Sequence, residues 1–188
     1  KNKKLQQWEN LQTSLSEYNL ETKSPKMQDV MKTLKKVSPT DANILLLGEN
    51  GTGKFVLAEY IHKNSKRKNE PFVHIDLGSL SENLFEAELF GYAKGAFTDA
   101  KIDKAGKIEN ANGGTVFLDE IGNLSPQLQQ KILTLIQTKK LTRIGENKER
   151  LLDIRFLFAT NADLKKLVNE GKFREDLYYR INTVEIEI

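Results

Sequence analysis

The stretch Gly48-Glu49-Asn50-Gly51-Thr52-Gly53-Lys54 follows directly on the apolar run Ile44-Leu45-Leu46-Leu47. It precedes a segment with helical periodicity at Val56, Leu57, Tyr60 and Ile61. The pattern G-x-x-x-x-G-K between a buried strand and a helix describes a phosphate-binding loop. Its glycines let the backbone wrap so that N–H groups converge on phosphate oxygens. The positive end of the following helix adds to that field, and Lys54 reaches the β and γ phosphates. The residue after the lysine in such loops is usually a serine or threonine whose hydroxyl holds Mg²⁺. Here it is Phe55, which has no hydroxyl.

A loop of this kind needs a strand to enter and a helix to leave, and the rest of the chain keeps that alternation. Ser24-Pro25 reads as a helix cap followed by proline at the first helical position. Met27, Val30, Met31, Leu34 and Val37 then supply an apolar face that ends at Ser38-Pro39. Strands are predicted at Asn43 to Leu47, Phe72 to Leu77, Thr115 to Leu118, Ile154 to Ala159 and Val184 to Ile188. Helices are predicted from Lys54, over Leu84 to Phe90, and over Gln127 to Gln137 with Leu128, Ile132, Leu135 and Ile136 on one face. Leu141 to Lys148 reads as a hairpin with a glycine turn. Strands alternating with helices predict an α/β fold with a parallel sheet covered on both faces. Residues 1–22 are polar, with Leu5, Trp8 and Leu11 at helical spacing, and read as a linker helix ahead of a domain over residues 23–188.

A second chemical element stands at Val116-Phe117-Leu118-Asp119-Glu120. An apolar strand delivers two carboxylates to the sheet edge where the phosphate loop lies. Asp119 can hold Mg²⁺, directly or through water, and Glu120 can polarise an attacking water. Paired acids after a strand are common in surface turns. Placed after a phosphate loop, they complete a nucleotide-hydrolysis site.

Composition narrows the alternatives. Twenty-nine Lys+Arg against twenty-six Asp+Glu give a net charge of +3, too balanced for a dedicated nucleic-acid binder. The densest basic cluster, Lys63 to Lys68, reads as a solvated helix end. Without cysteine there is no disulfide, thiol nucleophile or thiolate metal site. His62 and His74 fall in different segments and read as surface or structural residues. No apolar run approaches the roughly 20 residues of a membrane span, and the chain reads as cytoplasmic.

Five blocks, "GENGTGK", "ELFGYAKGAFTDA", "NGGTVFLDEIGNLSPQLQQKIL", "RFLFATNADL" and "FREDLYYRIN", carry a resemblance. From about Ser24 to Ile188 the chain resembles the central AAA+ ATPase domain of NtrC-like bacterial enhancer-binding proteins, the activators of sigma-54 RNA polymerase. The resemblance implies a three-layer αβα P-loop NTPase with a mostly parallel five-stranded sheet. Its helical lid would follow Ile188, a receiver or sensor domain would precede the chain, and DNA binding would belong to a C-terminal domain absent here. It implies ATP and Mg²⁺ as cofactors, with Gly48, Glu49, Asn50, Gly51, Thr52, Gly53, Lys54 and Phe55 around the nucleotide. Gly95, Ala96, Phe97, Thr98, Asp99 and Ala100 match the family's GAFTGA loop, which touches sigma-54; Asp99 replaces the second glycine. The phenylalanine of such a turn either stands exposed or folds back into the core. Asp76 occupies the place of an asparagine that contacts the catalytic glutamate, or simply caps its strand. Asn161 matches a γ-phosphate sensor. Arg174 and Arg180 match arginines given to a neighbouring subunit's nucleotide in a ring, usually a hexamer; one of them could instead pair with Glu175 or Asp176.

The resemblance thus implies an ATPase that remodels sigma-54 polymerase. The alternative is a nucleotide-gated interaction module with weak ATPase, suggested by the departures at Phe55, Asp76 and Asp99.

Overall fold

The computed structural model describes residues 24–78 and 82–188; the expected linker over residues 1–22 lies outside them. In chain order the strands are β1 Ile44–Leu47, β2 Phe72–Asp76, β3 Gly91–Tyr92, β4 Lys104–Ala105, β5 Thr115–Asp119, β6 Lys140–Thr142, β7 Glu149–Leu151, β8 Arg155–Thr160 and β9 Val184–Glu187. The helices are α1 Pro25–Val37, α2 Lys54–Lys63, α3 Glu82–Phe90, α4 Lys107–Asn110, α5 Pro126–Thr138, α6 Leu164–Asn169 and α7 Glu175–Ile181.

Five strands form one sheet in the order β2-β5-β8-β1-β9, and every pairing in it is parallel. The five predicted strands are these five, with ends shifted by a residue. Alternation along them feeds two cores. Ile44, Leu46, Phe117, Leu157, Ala159 and Ile186 face α1 and α2. Leu45, Val116, Leu118, Phe156 and Phe158 face the layer holding α5 and α7. Both faces are therefore dry, which is why β1, β5 and β8 read as continuous apolar runs rather than alternating ones.

α1 begins as its sequence predicts. Ser24 Oγ accepts the Met27 N–H at 3.5 Å and proline fills the first turn; Val30, Met31 and Leu34 are buried. Its other end is held by Arg155, 1% exposed, whose guanidinium donates to Ser38 O at 2.6 Å and Val37 O at 3.1 Å. These are carbonyls that the helix end leaves without intrahelical partners. Burial pushes the Arg155 pKa down to about 10.

Helices α4, α6 and α7 were not predicted. With 4, 6 and 7 residues they are too short to display two periods of an apolar stripe. The basic cluster after α2 also differs from expectation. Arg67 is not solvated: it donates to Gly113 O at 2.8 Å and pairs with Asp41 and Asp153 at 3.1 and 2.7 Å.

The sheet is closely packed where β5 begins. A Cβ added to Gly114 would lie 2.0 Å from Pro71 O, the carbonyl that accepts the Thr115 N–H at 2.8 Å. Only backbone of the β2–β5 pair could yield. Gly114→Ala is expected to cost about 2 kcal/mol, read as a lowered urea midpoint with an unchanged m value; an unmoved midpoint would contradict this packing.

Candidate functional site

Because the sheet is parallel, β1, β2, β5 and β8 release their following loops at one edge. The loop after β1 is anchored by backbone: Gly48 N–H donates to Thr160 O at 3.3 Å. Gly51 and Gly53 adopt φ of 84° and 91°, conformations open to glycine, and Gly53 caps α2. Thr52 Oγ1 donates to Glu49 O at 2.8 Å. Lys54, 6% exposed, folds over the loop and donates to Gly48 O at 2.9 Å and Glu49 O at 3.0 Å.

Phe55 completes an aromatic surface instead of presenting a polar atom. Its ring centroid is 4.9 Å from His74, 6.3 Å from Phe72 and 6.4 Å from Phe117.

Asp119 and Glu120 stand at the end of β5. Asp119 Oδ1 accepts the Glu120 N–H at 3.0 Å, and Oδ2 lies 3.8 Å from His74 Nε2. His74 first, then the Glu120 N–H and the charge of Lys54, hold the Asp119 carboxyl below its ordinary pKa against the opposing effect of burial. Glu120 has φ 59° and ψ 43°, a left-handed backbone costing an L-residue roughly 1–2 kcal/mol. The turn Ile121–Asn123 holds it there, with Asn123 N–H donating to Glu120 O at 3.0 Å.

Asp76 lies opposite Asp119 in the β2–β5 register. Its Oδ1 accepts the Gly78 N–H at 2.9 Å, so it caps the strand end, and the Gly78 Cα carries it past Glu120: a Cβ there would lie 3.9 Å from Glu120 Cβ. Asn161, after β8, donates from Nδ2 to Asn50 Oδ1 at 3.1 Å and so touches the phosphate loop. Beside it an open cleft of about 620 Å³ runs past Gly48, Asp163, Tyr178 and Ile188.

The two arginines are set apart from this group. Arg174 caps α7 and makes a two-pronged pair with Asp176, at 3.0 and 2.7 Å. Its backbone N–H donates to Gln129 Oε1 at 2.8 Å, while Gln129 Nε2 donates to Leu124 O and Lys172 O. Gln129, 1% exposed, thus fixes where α7 starts; sequence reasoning missed it because it neighbours the apolar stripe of α5. Arg180 is exposed in the last turn of α7, where its carbonyl accepts from Asn43 Nδ2 at 3.1 Å. The sequence likewise marks His74 only as a surface or structural residue, its proximity to Asp119 being invisible without the β2–β5 register.

Residues Gly95 to Ala100 sit in the β3–β4 hairpin. Gly95 N–H donates to Ala100 O at 2.8 Å and Ala100 N–H to Phe97 O at 2.9 Å. Phe97 stands exposed rather than folding into the core: it is 44% exposed, with its ring edge-on to Tyr92 at 4.8 Å. The left-handed residue of the loop is Gly95, φ 83°. Asp99 keeps an ordinary φ, so the replaced glycine's conformational freedom is not used here.

This hairpin is tied to the predicted one, β6–β7. Ala93 N–H donates to Ile144 O at 2.9 Å and Ile144 N–H to Gly91 O at 3.0 Å. Gly145, φ 75°, is where they meet, since a Cβ there would lie 2.7 Å from Ala96 Cβ. Below, Glu109 on α4 accepts both prongs of Arg143 at 2.8 Å and approaches Arg150 at 3.3 Å. Arg150 in turn grips Glu146 at 2.9 and 3.0 Å.

A family model described as the sigma-54 interaction domain matches residues 20–187. The sigma54-dependent transcriptional regulator SfnR of Pseudomonas fluorescens (strain Pf0-1) is 49% identical over 164 residues, which are 87% of this chain and 45% of that protein. The crystal structure of NtrX from Brucella abortus in complex with ADP superposes with a TM-score of 0.84 at 31% identity, over 98% of this chain and 41% of that one. The P-loop NTPase domain of a sigma-54 transport activator from E. coli shares the fold, with a TM-score of 0.60 at 20% identity over 89% of this chain and 96% of that one. The chain thus spans less than half the length of SfnR and of NtrX.

The Glu109 cluster gives a pH dependence. Arg143 holds the Glu109 carboxyl below its ordinary value of 4.5. A carboxyl depressed on folding adds stability above its unfolded pKa and loses it as pH falls through the folded one. Glu109→Gln is expected to be less stable than wild type at neutral pH, the two urea midpoints converging as pH falls below 4.5. Midpoint curves that stay parallel across that range would show that the pairing contributes nothing in solution.

Proposed function

The chain belongs to the sigma-54 interaction domain family, and from that premise we propose that it is the ATP-hydrolysing part of a transcriptional activator that assembles into a ring and remodels sigma-54 RNA polymerase to open promoter complexes. The family supports a role in transcriptional activation, and the NtrX structure in complex with ADP supports nucleotide binding by the shared fold. The observation that carries the reading is the convergence of the phosphate loop, Asp119–Glu120 and Asn161 on one sheet edge.

In this reading Lys54 exchanges the carbonyls of Gly48 and Glu49 for the β and γ phosphates, and the loop N–H groups and the start of α2 receive the rest of the negative charge. Asp119, held ionised, would bind Mg²⁺ together with the nucleotide's own phosphates. Among the described residues no three His, Cys, Asp or Glu side chains form a metal cage, and magnesium with phosphates needs only one or two carboxylates. Bound there, it supplies charge neutralisation across the phosphates. Glu120 polarises a water for in-line attack on the γ-phosphorus, Asn161 orients that water, and Asp76 takes the place of the residue that links Glu120 to β2. Arg174 and Arg180 face a neighbouring subunit's nucleotide; Arg174 would exchange Asp176 for the transferring phosphoryl, a contribution of roughly 10³–10⁵ in rate where such fingers act. Phe97 and Thr98 present the sigma-54 contact, with Asp99 adding a negative charge beside it.

Residues 1–22 serve as a linker, the lid follows Ile188, DNA is reached through a further C-terminal domain, and the protein works in the cytoplasm. The second reading, a nucleotide-gated module without productive sigma-54 contact, is favoured by one feature: Phe55 spends the usual magnesium position on aromatic packing.

The two are separated by sigma-54 binding to the protein extended through its lid, without nucleotide, with ADP, and with ADP plus aluminium fluoride. A complex is expected in the last condition alone and is lost in Phe97→Ala. Glu120→Gln is expected to lower ATP turnover by at least about 100-fold while nucleotide still binds. Nucleotide binding with no sigma-54 complex in any condition would establish the gated module instead.

A further inference from the structure

His74 has no role in the mechanism above, yet its Nε2 pairs with Oδ2 of Asp119 at 3.8 Å. It lies on β2, where the parallel register sets it beside Phe117. Its ring stacks on Phe117 at 5.1 Å with 24° between planes, and Phe55 closes on it at 4.9 Å. The half-exposed imidazole thus packs against two aromatic rings that also touch each other, and Nε2 lies 3.8 Å from Asp119 Oδ2. The other oxygen, Oδ1, is already held by the Glu120 N–H. Oδ1 is thus held by a hydrogen bond, while Oδ2 faces Nε2 within ion-pair reach and just beyond hydrogen-bond length.

Phe55 accounts for the arrangement. A serine or threonine there would offer a hydroxyl but no ring, and the His74 face would lie open. With phenylalanine, residue 55 on α2 offers no polar atom beside the carboxylate, and residue 74 on β2 does. We propose that His74 is a positioning residue for Asp119, orienting through Nε2 the carboxylate that meets the magnesium–nucleotide complex, and that Phe55 fixes the ring for this task. The inference rests on the ATPase reading for the identity of that complex. Groups that orient a metal-binding carboxylate typically matter by 10–100-fold in metal affinity.

The test uses the whole chain and a fluorescent probe, N-methylanthraniloyl-ADP, titrated once with excess Mg²⁺ and once with chelator. Wild-type protein is expected to bind the probe more tightly with Mg²⁺. His74→Ala is expected to bind as wild type does in chelator and to lose roughly 10-fold of the magnesium-dependent gain. His74→Gln, which keeps a side-chain N–H donor, restores most of that gain, and thermal melts confirm that both variants fold. Equal weakening with and without Mg²⁺ would make His74 a packing residue and overturn the assignment; so would an undiminished magnesium gain in His74→Ala, or a His74→Gln no better than alanine. Wild-type protein that binds the probe but gains nothing from Mg²⁺ overturns the His74 assignment alone, whereas wild-type protein that binds no probe overturns the nucleotide reading beneath it.

Discussion

Parallel pairing of five strands is the constraint from which the site follows. In a parallel sheet all carboxyl ends share an edge, and both faces must be covered because the crossover helices return across them. Here the order β2-β5-β8-β1-β9 sets β8 between the strand that carries the phosphate loop and the strand that carries Asp119 and Glu120. Asn161, leaving β8, is consequently the residue that can reach Asn50. No local preference brings these groups together; the pairing order does, and the buried faces of Leu45, Leu46, Phe117, Leu157 and Phe158 hold that order in place.

Electrostatics at the edge then follows from geometry. Three carboxylates, Asp76, Asp119 and Glu120, crowd the ends of β2 and β5, and each is dealt with differently. Asp76 is engaged by the Gly78 N–H. Asp119 is kept ionised by His74, the Glu120 N–H and Lys54. Glu120 is moved off the strand by its left-handed backbone, which ends the alternation of β5 one residue after Asp119. Strain of this kind persists where the surroundings over-determine a residue and gathers at functional positions. The turn Ile121–Asn123 and the close approach of Gly78 supply that determination here.

Much of this was legible in the sequence because it depends on short-range patterns. The phosphate loop needs a glycine spacing and two flanking elements, and all three are contiguous. β1 and β5 declare themselves as apolar runs, and α1 by its cap, its proline and its apolar face. What escaped depends on contacts between distant segments or on elements too short to show a period. His74 became relevant only when β2 paired with β5 in one register. Arg67 left its helix end for Asp41, Asp153 and Gly113 O, partners from three other segments. Gln129 sits next to an apolar stripe, and only the fold reveals that it anchors the residue before α7. The backbone at Asp99 is likewise settled only by the folded loop, which places its left-handed residue at Gly95 and leaves position 99 with an ordinary φ.

The two hairpins extend the same logic away from the sheet. Hairpins of two or three residues per strand, such as β3–β4 and β6–β7, are too short to be stable alone. They are ordered through each other: backbone bonds join Ala93 and Gly91 to Ile144, and Ala96 packs against Gly145 closely enough to exclude a Cβ. The Glu109–Arg143–Arg150–Glu146 cluster fastens the pair to α4, its side chains only 14–21% exposed. Ion pairs at that burial retain more of their Coulombic attraction than surface pairs do. α4 in turn leads through Gly114 into β5, the strand that ends at Asp119. A displacement of that strand end therefore has a covalent path to the base of the hairpin bearing Phe97, and the second hairpin must move with it or surrender the Ile144 bonds. The hairpin bearing Phe97 is thus tied to α4 and the segment entering β5 by packed backbone and partly buried ion pairs rather than by flexible chain.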